Sequence, residues 1–322
     1  RSGVEEACRQ TGIKAYGVSE DIATGRKLRL PRIGFYSGWF TTQDPGWARW
    51  ALDAIGLPWE WIDKDRAKKG NLNADFDLII IPHHGSWARG ISFLRGIDSR
   101  HSPLDYQQSD EFEFLGFPIA SEDITGGLGL EGVAGIERFV NEGGVLVTLG
   151  SGSRLVTDFG LLPGVSTSPS GSLVCPGTLV SGWIRQMDNP IVHGFQEHPA
   201  IYQGNMPLFN VDKKMRSRVV MQFGTDLPKD VMNEMSDEEK EAHQARQKKH
   251  PLRISGLLKE GKALDGTAAV IDAPAGEGRI VLFAFNPLYR WMSQASFPMV
   301  YNTILNWDAP METLANDAAG KE

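Results

Sequence analysis

The run LGSGSRL, Leu149–Leu155, leaves an apolar stretch and sets two hydroxyls, Ser151 and Ser153, and one guanidinium, Arg154, around a glycine turn. At the carboxyl end of a buried strand, such a turn can hold an anion on backbone N–H groups or present a serine as a nucleophile. A nucleophilic serine needs a base. His83 and His84, which follow the apolar run Asp77–Ile81, are the candidates, because an imidazole can take a hydroxyl proton or ligate a metal. Neighbouring residues in extended backbone point to opposite sides, so one packed and one solvated histidine are expected, with His84 the candidate for the site. His101, His193, His198, His243 and His250 form no His-Glu-x-x-His or comparable spacing, so no metal set is expected. The G-S-G-S turn matches neither a phosphate loop nor a dinucleotide fingerprint, and its glycines read first as backbone geometry.

A second set of chemical groups sits near the C-terminus, in GRIVLFAFNPLYR, Gly278–Arg290. Asn286 has no titratable nitrogen and cannot act as a general base. Arg154 and Arg290, if both stand at the strand ends, would put two planar forks at one mouth, suited to a carboxylate such as a peptide C-terminus. The segment Trp39–Trp61 holds five tryptophans. Trp50, Ala51 and Ile55 at helical spacing, and Trp59 and Trp61 on one strand face, read as core. Trp39 and Phe40, in a loop, read as a possible ligand platform. The candidate ligand-binding set is therefore Trp39, His84, Ser151, Arg154, Asn286 and Arg290, with no catalytic and no metal residue assigned.

These groups need a frame. Ile33–Tyr36 reads as a strand, Trp47–Ile55 as a helix introduced by Asp44 and Pro45 and stopped by Gly56, and Trp59–Ile62 as a second strand. Asp77–Ile81 and Val145–Leu149 are continuous apolar runs, which suit a parallel sheet covered on both faces. Leu130–Asn141 carries a helical stripe of Leu130, Val133, Ala134, Ile136 and Val140. Strand, helix, strand in this order implies right-handed crossovers and a flavodoxin-like, doubly wound, mostly parallel α/β sheet. Two stretches interrupt it, about 83–128 and 226–252; the second holds a helix opened by a Ser236–Glu239 capping box. Extended segments follow at 179–184, 201–202, 218–223, 268–272 and 279–285, and Ser296–Trp307 closes the domain as a helix. Residues 1–29 form an N-terminal segment, with a short helix over 4–11 and an extended run from Ile13. The domain proper covers 30–309, and 310–322 is a flexible tail.

Composition narrows the classes. With 33 basic against 40 acidic residues the formal charge is −7, which argues against a nucleic-acid partner. No apolar run approaches the roughly 20 residues of a membrane span. Cys8 and Cys175 lack metal-ligand spacing and read as unpaired thiols. The compartment stays open, with a periplasmic or secreted location favoured.

The two chemical segments also resemble a degenerate class I glutamine amidotransferase. That family's nucleophile elbow is Gly-x-Cys-x-Gly; aligned on Gly152, this chain has Gly150 in the cysteine's place. Where the family has Phe-His-Pro-Glu this chain has Phe285-Asn286-Pro287-Leu288, and the Pro-Gly-Gly-like oxyanion loop reads Pro82-His83-His84-Gly85. Four blocks in order, PRIGFYSGWFTTQDPGWARWALDAIGLPW, GNLNADFDLIIIP, LEGVAGIERFVNEGGVLVTLGSGSRL and GEGRIVLFAFNPLYRW, are similar to the amidotransferase-like domain C-terminal to bacterial zinc carboxypeptidase-like proteins. The match runs from about Leu30 to Trp307, excluding the two interrupting stretches. It implies a catalytically silent accessory domain that docks on an upstream zinc carboxypeptidase-like domain or binds peptide or glycan. Zinc is then expected only in that peptidase domain, since no His-x-x-Glu occurs here. The competing readings are an independent hydrolase around Ser151 and His84, and a stand-alone ligand-binding module.

Overall fold

The computed structural model describes residues 2–11, 28–109, 111, 116–168 and 170–310. The first half contains α1 (Ser2–Thr11), β1 (Ile33–Tyr36), α2 (Gln43–Asp53), β2 (Glu60–Ile62), α3 (Lys64–Lys68), β3 (Leu78–Ile81), α4 (Gly90–Arg95), α5 (Gly129–Asn141), β4 (Val145–Leu149) and α6 (Ser153–Phe159). The strand-rich half follows with β5 (Val165–Ser168), β6 (Thr178–Ile184), β7 (Ala200–Gln203), β8 (Leu208–Val211) and β9 (Val219–Phe223). It ends with α7 (Lys229–Glu234), α8 (Asp237–Lys249), β10 (Arg253–Gly256), β11 (Ala268–Ala275), β12 (Gly278–Phe283) and α9 (Phe297–Leu305). The extended run expected from Ile13 and the tail beyond Pro310 lie outside the described residues.

The apolar runs build one half of the sheet. β2, β1, β3, β4 and β12 lie side by side, all parallel, in the flavodoxin-like order. Every residue of β1, β3 and β4 is buried, as a strand covered on both faces requires. Antiparallel β11, β9, β6 and β10 extend the sheet past β12, with β7 on β6, β8 on β11 and β5 on β8. The fold is α/β and doubly wound.

The order of β1, β2 and β3 reverses direction at β1, so right-handed crossovers place α2 on one face and α3 and α5 on the other. α9 shares the α2 face, where Tyr301 Oη donates to Ala51 O at 2.9 Å. α4 packs on α5 and α6. The reversal also opens the crevice beyond the carboxyl ends of β1 and β3, the place where this fold class holds ligands.

α5 is turned from the expected stripe. Leu130 is 71% exposed and Ala134 is also exposed, whereas Gly132 and Gly135 are buried with Val133, Ile136, Phe139 and Val140. A Cβ on Gly135 would fall 2.6 Å from Ala67 O, so glycine lets α3 come into backbone contact. The Trp50 reading also fails. Trp50 and Ile55 are exposed, because α2 starts at Gln43 and buries Asp44, Pro45, Ala48, Ala51 and Leu52 instead. Trp59 and Trp61 do pack on Phe35, with ring centroids 5.4 and 6.2 Å away.

Both interruptions carry structure. The first contributes α4, whose Phe93 is fully buried, and a Tyr106–Ser121 bridge that covers the β1 loop. The second contributes α7 and α8. Ser236 Oγ accepts from Glu239 N–H (3.2 Å) and Glu239 Oε2 accepts from Ser236 N–H (2.7 Å), closing the expected capping box.

Candidate functional site

Four strand ends converge on one hydrogen-bonded knot. β4 leads into a 3-10 turn over Gly150–Gly152 before α6, and Gly150 adopts φ +53, a left-handed conformation that glycine takes without strain. Gly150 N–H donates to Phe285 O at 3.0 Å, which ties this turn to the end of β12. Ser151 N–H donates to His83 Nδ1 (3.0 Å), and Ser151 Oγ accepts from His84 N–H (2.9 Å). His84 Nδ1 donates to Pro82 O (2.8 Å), while its Nε2 accepts from Gly38 N–H (3.2 Å) and faces Ser37 Oγ (3.3 Å).

These partners fix both tautomers. His83 accepts at Nδ1 and so carries its proton on Nε2, whereas His84 carries its proton on Nδ1. Contrary to the split into one packed and one solvated ring, both histidines are buried. The loops do this: Phe40 and Phe93 pack on the His84 ring, at 5.2 and 4.8 Å between centroids, and Met206 closes over Gly150 beside His83. Burial pulls the His83 pKa down to about 3, helped by the adjacent His84 ring, which would repel a second proton, and by the Arg290 charge. Burial likewise pulls His84 down to about 4, against the Pro82 hydrogen bond that favours its charged form. Both imidazoles are neutral at pH 7.

His83 Nε2 stands 3.9 Å from Asp44 Oδ2, a neutral ring edge facing a carboxyl rather than an ion pair. Asp44 lies in the first turn of α2, and its buried Oδ1 has no hydrogen-bond partner. Burial raises its pKa, opposed by the nearby Arg290. From the sequence Asp44 reads only as a residue that introduces a helix, not as a site candidate. An aspartate before proline at a helix start reads as a terminus signal, and nothing local shows that it aims at His83.

The remaining candidates have structural partners. Asn286 Oδ1 accepts from Leu288 N–H (3.2 Å) in a buried turn. Asn286→Ala is therefore expected to lower stability by about 1–2 kcal/mol, the cost of leaving that N–H without a partner, as read from urea midpoints. Trp39 is buried against Phe117 and Tyr106, at 4.5 and 5.5 Å between centroids, so it forms no exposed platform. Arg154 Nε faces Asp158 Oδ2 at 3.2 Å, and the same oxygen accepts from Gly90 N–H (2.8 Å) at the start of α4. Arg290, at φ +45, reaches Gln43 Oε1 (3.4 Å) and lies 5.1 Å over the Tyr289 ring, which packs flat on Tyr202. Arg154 thus belongs to the α4–α6 side and Arg290 to the α2 side. The structure does not bring the two guanidiniums together as one clamp.

His83 Nδ1 is taken by the Ser151 N–H, and both His84 ring nitrogens are engaged by Pro82 O and Gly38 N–H, so these atoms are not available to take the Ser151 hydroxyl proton. Among the described residues no three of His, Cys, Asp and Glu converge in a way that would hold a metal ion. Cys8 and Cys175 are free thiols, the latter buried. Among the same residues no helix is long and apolar enough to cross a membrane.

No protein-family model and no curated protein matches the chain. Solved structures with a related layout include PurLQS from Thermotoga maritima, at 14% identity over 87% of this chain and 99% of that chain, with a TM-score of 0.48. A putative GMP synthase subunit from Thermoplasma acidophilum has 8% identity over 88% and 98%, TM-score 0.47. A cytoplasmic protein from Salmonella typhimurium has 11% identity over 85% and 98%, TM-score 0.45. Likeness at this level says nothing about what this chain binds or catalyses.

Proposed function

We propose that this chain is an amidotransferase-like accessory domain without glutaminase activity, working beside a zinc carboxypeptidase-like hydrolase. The observation that carries the first part is the strand-end knot. Gly150 offers no nucleophile, Ser151 Oγ is used as an acceptor by His84 N–H, both His84 nitrogens are engaged, and Asn286 holds a turn. Each of the three positions that would run the family's chemistry is instead a backbone fastener. A nucleophile at position 150 would require His83 to move, because a Cβ there would fall 2.7 Å from His83 Nδ1. The peptidase association, with zinc in that partner domain, is supported by the four ordered sequence blocks. It follows that the partner, rather than this chain, would supply hydrolysis.

The purified chain is expected to release no ammonia from glutamine above a protein-free blank, and Ser151→Ala is expected to leave that result unchanged. Ammonia release that disappears in Ser151→Ala would promote the independent-hydrolase reading instead. The association is tested on the gene: its reading frame upstream of Arg1 is expected to encode a His-x-x-Glu peptidase domain. A frame without one removes the carboxypeptidase link.

A further inference from the structure

A cavity of about 450 Å³ opens in the antiparallel half of the sheet and shares no residue with the strand-end knot. Its size falls in the range of small-molecule sites. Phe209 of β8, Val219 of β9, and Leu227 and Val231 from the second insertion supply its apolar lining. The insertion therefore has a role as a wall.

Two arginines line this cavity and no acid does. Arg216 is neutralised by Asp230, whose Oδ2 lies 2.6 Å from Arg216 Nη1. Arg185 has no such partner: no carboxylate of the described residues stands within ion-pair distance of it. It is nonetheless held in place. Its Nη1 donates to Gln222 Oε1 (2.8 Å), and Gln222 Nε2 donates to Asp226 O (2.8 Å), which fixes the amide with its oxygen toward Arg185. The guanidinium lies 4.1 Å over the Trp183 ring, with Arg246 4.6 Å from the same ring. The Arg185 side chain is exposed to solvent, and its guanidinium stays charged at neutral pH. An exposed, unneutralised fork held by Gln222 and Trp183 beside apolar walls can recognise a planar anion carrying an apolar group.

We propose that this cavity binds a small organic carboxylate, with its carboxylate on Arg185 and its apolar body against Phe209, Val219, Leu227 and Val231. Gln222 is a positioning residue for the guanidinium. This inference is independent of the accessory role, since it uses none of the strand-end residues.

The test is calorimetric titration of the full chain with 3-phenylpropanoate and with its neutral isostere 3-phenylpropanamide. The acid is expected to bind saturably at millimolar concentration or below, and the amide at least about tenfold more weakly, as a charge-assisted contact predicts. Arg185→Met should weaken the acid about tenfold or more while leaving the amide unchanged. Val231→Trp, which fills the cavity without touching the charge, should abolish binding of both and serves if Arg185→Met does not fold. Absence of saturable binding, equal affinity for acid and amide, or unchanged acid binding in either variant overturns the proposal.

Discussion

Lowering the pH from 7 to 5 is expected to cost the fold about 4 kcal/mol through His83 and His84 alone, about 2 kcal/mol each. In the unfolded chain both rings titrate near the ordinary 6.5, while in the folded protein burial holds them at about 3 and about 4. At pH 5 the unfolded state therefore binds nearly one proton per ring and the folded state almost none. Stability is fully present above pH 6.5 and is lost as the pH falls from there through the folded values. The folded pKa values need only lie below 5 for this magnitude to hold. His198 and His243, also lowered by burial, act in the same direction. Asp44 and Asp265, raised by burial, act in the opposite one, because the folded state then holds their protons more tightly. Urea midpoints at the two pH values measure the loss, and the ring nitrogen resonances of the two histidines report the protonation. A midpoint that stays put, or rings that titrate near 6.5, would falsify the knot as described. The same result bears on function, since a group that binds no proton until well below pH 5 is a poor base at pH 7.

Arg279→Met is expected to cost about 3–5 kcal/mol, because it strands the Asp272 carboxylate inside the protein. Arg279, on β12, grips Asp272 of the neighbouring β11 with both forks: Nε to Oδ1 at 2.6 Å and Nη2 to Oδ2 at 2.8 Å. The side chains are only 3% and 1% exposed. The remaining valences are also used, as Arg279 Nη1 donates to Asn306 O just past α9 and Asn189 Nδ2 donates to Asp272 Oδ2. This pair couples the parallel half of the sheet to its antiparallel extension and to the closing helix. Removing both charges is a different experiment. Arg279→Met with Asp272→Leu should recover most of the loss, because a buried pair replaced by apolar groups of similar volume is often near neutral. Urea denaturation of the single and double variants decides it; a single variant within about 1 kcal/mol of the parent would mean that water reaches the pair.

The sequence by itself determined the parallel half of the sheet. Continuous runs such as LIII at 78–81 and VLVTL at 145–149 can be buried on both faces only between helices, and the connecting lengths leave right-handed crossovers as the way to link them. Local chemistry was equally legible where it is closed within a few residues, as in the Ser236–Glu239 capping box. β5, β8 and β10 were missed because their patterns are short and β10 is exposed throughout, so pairing rather than composition defines them. α3 was missed for a related reason: five residues of mostly polar sequence become a helix once Gly135 lets Ala67 approach α5.

At the strand ends, composition marked the right segments and tertiary structure decided what they do. The chain shows two histidines, two serines and an asparagine near glycines, a set that is compatible with catalysis. Only folding reveals that Ser151 is paired to both histidine segments and that the Asn286 side chain closes a turn. It likewise turns Arg154 toward Asp158 and Arg290 toward Gln43. The physical reason is that a side chain's proton affinity and freedom are set by burial and by partners far away in sequence, 67 residues for Ser151 and His84. Arg185 and Gln222 make the same point at 37 residues' separation: neither belongs to any motif, and only the pairing of β6 with β9 sets them together beside a cavity.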